Sequence, residues 1–481
     1  MVSVIQATNA EDKKWNFLVI VVDDLGQMDI SPNNPTTYYK TPNLEKFATE
    51  GVRFSDNYSA SPVCSPARLA IMTGKSPARL NATDWFRLEE GQGRAERFKW
   101  ANDIHHLPHS ETTLAEALKP QGYQSAFLGK WHLGHEEQYW PERQGFDTNV
   151  GGYWSGSPRG TNDEKGSGYF APFNNPRMDD NEDGEYLTER LSTEAMELLD
   201  GYSKTDDPFL MVLSYYTVHT PLNAPKETIE KYETLKQKAG LKGIFIEEEQ
   251  AWPREEARMT RQNQNHSTYA AMVEHMDLNV GRVLDQLEVS GLADNTMVFF
   301  TSDNGGLSTS EGSPTSNMPY RGGKGWMYEG GIRVPFIVRW PNNGKEAYTN
   351  PAAVSGLDIF PTIMEIAGIE AGDVDGNSLV SKIKGEVERT EEPLYWHYPH
   401  YGNQGGMPAS AVRLGQYKLI QRLEDGRYHL YDLSNDPGEH RDIAQNMPEK
   451  TQELRSLLLN WYKEVDAQFL REKDGKVPWR P

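Results

Sequence analysis

Short runs of consecutive apolar residues alternate along this chain with longer amphipathic stretches. The run Phe17-Leu-Val-Ile-Val-Val22 is unbroken, the pattern of a strand buried on both faces, and it stops at Asp23-Asp24-Leu25-Gly26. Residues 41–51 carry the Thr, Pro and closing Gly of a short helix, and 52–58 read as a second strand. The alternation continues with a helix at 112–119, a strand at 124–128, a helix at 186–202 and a strand at 209–215. A long helix at 269–290 then precedes a strand at 296–301. Helices that regularly separate apolar strands predict an α/β fold, a large and mainly parallel sheet flanked by helices, with its chemistry on loops beyond the strand ends.

The pattern changes past residues 382–392, a charged stretch poor in apolar side chains. Strand candidates at 394–398, 411–414, 417–421 and 428–432 are joined by short turns and followed by a helix at 448–468. They predict a small C-terminal antiparallel sheet with one helix. The expected division is a catalytic domain over residues 1–385 and a subdomain over 386–481, and 481 residues suffice for both.

Charge narrows the function. Asp and Glu number 70 against 49 Lys and Arg, a formal net charge of -21, which argues against a nucleic-acid partner and requires a local basic pocket for any anionic substrate. The single cysteine excludes an intramolecular disulfide, so its role must be read from its neighbours. No apolar run is long enough to span a bilayer, and Met1 to Asn16 lacks the apolar core of a secretion signal.

Those neighbours are Cys64-Ser-Pro-Ala-Arg68, placed after a strand and opening a helix expected at 66–73. The positive end of that helix faces residue 64, and Arg68, one turn on, adds a bidentate fork for an oxyanion. A second constellation joins two strand ends, Asp23-Asp24 and Asp303-Asn304. If the strands are parallel these ends converge, and four oxygen-bearing side chains select Ca²⁺ or Mg²⁺ over zinc, Ca²⁺ being the ion expected. Alone, Asp-Asp also reads as a helix cap and Asp-Asn-Gly as a turn. A third set is cationic or imidazole: Lys130 and His132 in Gly129-Lys-Trp-His-Leu-Gly134, His219 in Tyr216-Thr-Val-His-Thr-Pro221, and Lys324 in Arg321-Gly-Gly-Lys324.

With Cys64, Pro66 and Arg68 in the order Cys-x-Pro-x-Arg, the chain resembles the type I sulfatases. Leu69, Thr73 and Gly74 fit the extended signature of that family, while Lys75 stands where Arg is common. The resemblance runs from Asp23 through Glu329-Gly-Gly-Ile-Arg-Val-Pro335 to Tyr431-Asp-Leu-Ser-Asn-Asp-Pro437. It implies an alkaline-phosphatase-like fold and the hydrolysis of sulfate esters. It also implies maturation of Cys64 to formylglycine by a formylglycine-generating enzyme, the hydrate of that aldehyde attacking sulfur. In the implied site residue 64 joins Asp23, Asp24, Asp303 and Asn304 around the cation, and Arg68 and Lys130 hold the nucleophile. Lys324 and His219 grip the sulfate, one of them protonating the leaving oxygen, and His132 takes a proton when sulfate departs.

Substrate specificity is expected in loops at 154–159, 247–261 and 396–406. Trp154, Arg321, His397 and His400 are the substrate-binding candidates, the aromatic and His-rich Tyr395-Trp-His-Tyr-Pro-His-Tyr401 segment suiting sugars or, equally, the packing of the subdomain. A sulfated, algal polysaccharide or its oligosaccharides is the expected substrate, met in the periplasm or after secretion, with a signal lying outside this sequence. The rival readings are a phosphoesterase or phosphonate hydrolase of the same superfamily and a sulfated-glycan-binding protein without turnover.

Overall fold

Uninterrupted apolar strands can be stable only if both faces of their sheet are covered, and the arrangement meets that demand. The computed structural model describes residues 14–87, 98–158, 168–180, 183–251, 257–342, 346–386 and 392–472. Its strands are β1 (Asn16–Val22), β2 (Val52–Tyr58), β3 (Gln124–Gly129), β4 (Thr148–Val150), β5 (Phe209–Ser214), β6 (Phe245–Glu247), β7 (Met259–Arg261), β8 (Thr296–Ser302), β9 (Phe336–Arg339) and β10 (Tyr348–Ser355). The large sheet has the order β10-β2-β9-β8-β1-β5-β3-β4, while β6 and β7 form a separate hairpin. Within the large sheet β9 is antiparallel to β2 and β8, and the other pairings are parallel.

Period-two alternation divides β1 between two cores. Leu18, Ile20 and Val22 face the helices Leu187–Tyr202 and Ser267–Val289, whereas Phe17, Val19 and Val21 face the side that holds the helices Cys64–Thr73 and Ile359–Ile366. In register, Val22 pairs with Ser302 of β8 and Val21 with Ser214 of β5. The segments that leave β1, β8 and β5 therefore emerge side by side at one edge.

The helix Cys64–Thr73 starts two residues before the expected position, which puts Cys64 at its first residue and Pro66 still in the first turn, where a missing N–H costs nothing. Every residue of it is buried. Sequence periodicity passes over β9, β10 and the helices Lys226–Lys238 and Ile359–Ile366. The strand β10 contains Pro351 beside a register shift between Asn350 and Ala353, tolerable because it lies at the sheet edge. The helix Lys226–Lys238 buries only Thr228 and Tyr232, too little for an apolar stripe.

The strands β11 (Leu394–Tyr398), β12 (Ala409–Leu414), β13 (Tyr417–Arg422) and β14 (Tyr428–Asp432) form the small antiparallel sheet in sequence order. Trp396, Tyr398, Ala411 and Ile420 pack against Tyr58, Val63, Met327 and Ile332 of the larger part. On the other face Val412, Leu419 and Leu430 meet Leu454, Leu458 and Trp461 of the helix Pro448–Glu464, which stops short of the expected residue 468. Trp396 Nε1 donates to the Ser59 carbonyl at 2.8 Å, so the small sheet braces the loop that delivers Cys64. Of the charged stretch expected as a linker, residues 387–391 lie outside the described residues.

Candidate active site

Strand ends set the candidate side chains. Gly129 closes β3 at φ 93, and a Cβ there would lie 2.0 Å from the Ser214 carbonyl of β5, so glycine alone permits that approach. Lys130 and His132 follow it directly. Asp24 after β1 and His132 after β3 both take left-handed backbone, at φ 60 and 58, a conformation that costs a non-glycine residue about 1–2 kcal/mol.

Asp23, Asp24 and Asp303 are fully buried together, their carboxylates within 4.8 Å of one another. Three cations surround them. Lys130 Nζ donates to Asp23 Oδ2 at 2.6 Å, Lys324 Nζ to Asp24 Oδ2 at 2.9 Å, and Arg68 Nε to Asp303 Oδ2 at 2.8 Å. Arg68 is itself fixed through Nη1, which donates to the Lys130 carbonyl at 2.7 Å and to Ser214 Oγ. The Asp24 N–H donates to Asp303 Oδ1 at 3.1 Å, and Asn304 Nδ2 to Asp24 Oδ1 at 2.7 Å.

The cluster is not saturated. Asp23 Oδ1, Asn304 Oδ1 and Arg68 Nη2 are buried and make no hydrogen bond with a described residue, the two groups Arg68 Nη2 and Asp23 Oδ1 standing 3.6 Å apart. Burial, with Asp303 adding repulsion, pushes Asp23 well above the usual carboxylate range. Asp24 is held below that range against the effect of burial by Lys324 and then His219. Oxygen donors with idle lone pairs and three crowded carboxylates fit a hard divalent cation, whose charge would keep all of them ionised.

Cys64 lies beside this cluster, and its Sγ is within 4.8 Å of ligand atoms of Asp23 and His219. Burial raises its thiol pKa. It opens into a cleft of about 640 Å³ that is also lined by Trp85, Trp154, His132, His219, Lys324 and Asn403. His132 Nε2 meets the Phe86 carbonyl at 3.0 Å and so carries the ring proton, which leaves Nδ1 as a buried lone pair that makes no hydrogen bond with a described residue. Burial and then Lys130 hold its pKa well below the usual value. Gly156 packs on this ring so closely that a Cβ would lie 2.4 Å from Cε1. His219 Nδ1 meets the Thr220 carbonyl, its Nε2 stands 3.7 Å from Asp24 Oδ2, and burial followed by Lys324 lowers its pKa to about 3.

The structure thus brings together Cys64, Arg68, Lys130, His132, His219 and Lys324 with Asp23, Asp24, Asp303 and Asn304, and sets Trp154 on the cleft wall. Two substrate-binding expectations, Arg321 and His397, need correction, and the third, His400, lies outside the cleft itself. Arg321 is turned from the cleft, pairing with Glu248 through Nε at 3.0 Å, donating to the Glu439 carbonyl at 3.1 Å and covering Tyr328. His397 alternates with the inward Trp396 and Tyr398 on β11, so it lies under the C-terminal end of the chain, bonded to Ser410 Oγ and the Gln468 carbonyl, both at 2.6 Å. His400 is buried on Thr83 Oγ1 at 2.8 Å and lines a neighbouring recess rather than the cleft. Lys75 pairs with Glu111 at 2.7 Å.

Several neighbours were not legible in the sequence. Ser65 Oγ accepts the Phe86 N–H at 2.9 Å and ties the cleft wall to the helix of Cys64. Glu311 accepts from Thr220 Oγ1 at 2.6 Å and Asn403 Nδ2 at 3.3 Å, joining three loops at the rim. Ser214, whose Oγ also donates to the Lys130 carbonyl at 2.7 Å, had a signal: it is the polar end of an apolar strand, like Asp23 and Asp303.

Comparison with known proteins identifies the family. A family model described as Sulfatase matches residues 15–369, and one described as N-sulphoglucosamine sulphohydrolase, C-terminal, matches 322–467. A sulfatase of Formosa agariphila is 29% identical, the alignment covering 93% of this chain and 88% of that protein. The N-acetylgalactosamine-6-sulfatase of Mus musculus is 29% identical over 84% of this chain and 71% of its own. The crystal structure of Ps i-CgsB in complex with k-i-k-neocarrahexaose has a TM-score of 0.73 at 26% identity and covers 97% of this chain and 95% of its own. The neighbours share the alkaline-phosphatase-like fold, and sulfatases generally use formylglycine and a divalent metal. With one family model spanning most of its length and relatives that agree along nearly all of it, this chain belongs to the sulfatase family and is a hydrolase of sulfate esters.

Proposed function

We propose that the protein releases inorganic sulfate from a sulfated polysaccharide of algal type or from its oligosaccharides, using formylglycine at position 64 and Ca²⁺ in preference to Mg²⁺. One observation carries this reading: Cys64, His132, His219 and Lys324 open together into a cleft whose walls also include the aromatic Trp85 and Trp154 and the polar Asn403 and Gln404, groups that suit a sugar ring. The 26%-identical neighbour whose crystal structure holds k-i-k-neocarrahexaose supports a polymeric substrate. Such a polymer is met outside the cytoplasm, so a periplasmic or secreted enzyme goes with this reading. Among the described residues no helix is long and apolar enough to cross a membrane.

When present, the aldehyde hydrate at residue 64 supplies the attacking oxygen and the cation supplies fixed positive charge. Asp23, Asp24, Asp303 and Asn304 would hold that cation, Asp23 Oδ1 and Asn304 Oδ1 being the oxygens left idle. Ca²⁺ is favoured by a donor set made wholly of oxygen with several carboxylates. Arg68 offers the unpartnered Nη2 to the oxygens of residue 64, and Lys130 screens Asp23 beside them. Lys324 and His219 grip the sulfate oxygens, and one of them delivers a proton to the departing alkoxide. His132 Nδ1, which makes no hydrogen bond with a described residue, would take a proton at residue 64 when sulfate leaves.

The test is sulfate release by ion chromatography from neocarrahexaose, D-glucosamine-2-N,6-O-disulfate, an aryl sulfate and an aryl phosphate. The protein is co-expressed with the formylglycine-generating enzyme, and Cys64→Ala is the control. Release from an oligosaccharide that vanishes in the control is expected. Phosphate release with silence toward every sulfate, in protein whose residue 64 is an aldehyde, would overturn the reading in favour of a phosphoesterase.

A further inference from the structure

Arg87 stands on the wall of the cleft and also on the wall of a second recess, of about 390 Å³, that the sulfate chemistry does not use. Its neighbour Phe86 is fixed to both flanks of the reactive centre, its N–H donating to Ser65 Oγ at 2.9 Å and its carbonyl accepting from His132 Nε2 at 3.0 Å. The recess therefore begins one Cα step, about 3.8 Å, beyond a residue tied to that centre. Because Arg87 lines both spaces, a chain seated in the cleft can continue into the recess.

Two polar atoms in this recess are idle. Trp100 Nε1 and His400 Nδ1 are buried and make no hydrogen bond with a described residue, and His400 is only 1% exposed. Their roles can be assigned. The Thr83 hydroxyl donates to Asp103 Oδ1 at 3.3 Å, so it accepts from His400 Nε2, 2.8 Å away. With the ring proton on Nε2, Nδ1 is an acceptor, and Asp84 Oδ2 at 3.9 Å lies beyond its reach. The indole nitrogen of Trp100 can only donate. A donor and an acceptor left dry on one wall carry a desolvation cost that a hydroxyl-bearing ligand relieves.

The recess is also locally cationic in a chain whose net charge is -21. Lys99 and Arg471 are held side by side by backbone hydrogen bonds of 2.6 and 2.9 Å, and neither makes an ion pair with a described residue. Of the two carboxylates on the wall, Asp84 is paired with Arg87, whose guanidinium is stacked 3.8 Å from the Trp100 ring centre. The other, Asp103, is pushed up by burial to about 7 and takes hydrogen bonds from Thr83 and the Asp84 N–H. Among the described residues Lys99 and Arg471 are left without a counter-charge.

We propose that this recess is a second subsite that binds a sulfated sugar unit adjoining the cleaved one, its hydroxyls on Trp100 Nε1 and His400 Nδ1 and its sulfate at Lys99 and Arg471. The assignment rests on the sulfated-oligosaccharide reading of the cleft and extends it from one sugar to two. It makes the enzyme selective for densely sulfated chains and explains how an acidic protein holds them.

Binding and turnover separate the two ideas. Calorimetric titration of the Cys64→Ala protein at fixed salt would use two matched disaccharides, one with a single sulfate and one with a second sulfate on the adjoining unit. The doubly sulfated one should bind at least tenfold more tightly, and Lys99→Ala combined with Arg471→Ala should cut that ratio below threefold. Trp100→Phe keeps the ring against Arg87 and deletes the N–H, so it should weaken both disaccharides relative to the sulfated monosaccharide. Equal affinities, whether both bind or neither does, or a preference that survives loss of both cations, would overturn the subsite. Turnover without preference would leave sulfate hydrolysis standing and remove the subsite. Preference without turnover in aldehyde-bearing protein would keep the subsite and remove the catalytic role of residue 64.

Discussion

Two clusters of buried charge, one at the strand ends and one between the two sheets, are built from the same residue types and come to opposite ends. In the second, Lys418 of β13 is wholly buried with its Nζ 3.0 Å from Glu329 Oε1 and 2.9 Å from Glu439 Oε1. Tyr58 donates to Glu329 Oε2 at 2.7 Å, Arg333 reaches the same oxygen at 3.3 Å, and Arg413 of β12 donates to Asp56 Oδ2 at 2.6 Å. Among the described residues each of these charges has an opposite one within 3.3 Å, and the pairs Lys418–Glu329 and Arg413–Asp56 cross the junction of the sheets. Around Asp23 the balance is incomplete: two oxygens and one guanidinium nitrogen are idle, two residues hold left-handed backbone, and the cleft opens on them. A cluster whose opposite charges pair across two sheets fastens them; one that leaves several donor and acceptor atoms idle beside a cleft, at the carboxyl edge of a parallel sheet, is where a ligand can bind.

Breaking the two clusters should therefore have different consequences. Cys64→Ala should lower sulfate release by about 10⁴-fold or more while the melting temperature is kept, since only the nucleophile is lost. Chelation should remove several kcal/mol of transition-state stabilisation, a fall of at least ~10²-fold in rate, and Ca²⁺ should restore activity better than Mg²⁺. His132→Ala should cost roughly 10²–10⁴-fold in kcat with the fold intact. In the joint, Lys418→Ala leaves buried carboxylates unpaired and should lower unfolding free energy by about 3–5 kcal/mol, with kcat of the folded fraction retained. The smallest effect is expected for His397→Ala, which loses two buried hydrogen bonds and should cost about 1–3 kcal/mol of stability without changing kcat. If His397→Ala reduced kcat at unchanged stability, the division between fastening and reacting residues would be wrong.

What could be read from the sequence follows the same divide. The central strands were legible because β1, β5 and β8 are buried on both faces and so are continuously apolar. The residues proposed to react were legible because they sit where those runs stop, at Asp23, Lys130 and Asp303, and because Cys64, Pro66 and Arg68 occupy adjoining turns of one helix. The polar helix Lys226–Lys238 and the edge strand β10 bury too little or break too soon to leave a period. Misplacement of His397 has a sharper cause. The residue type was informative, but its face depends on the register of β11, which turns Trp396 and Tyr398 toward the large sheet and His397 onto Tyr462 and Phe469. Arg321 failed for a long-range reason, because its partner Glu248 lies 73 positions away in the chain.

The central claim is that turnover runs through residue 64. Its most direct test is to prepare the protein at several extents of maturation, measure the fraction of aldehyde at residue 64 by peptide mass, and plot sulfate released per minute against that fraction. A straight line through the origin is predicted; a rate that persists as the aldehyde fraction approaches zero would contradict the account.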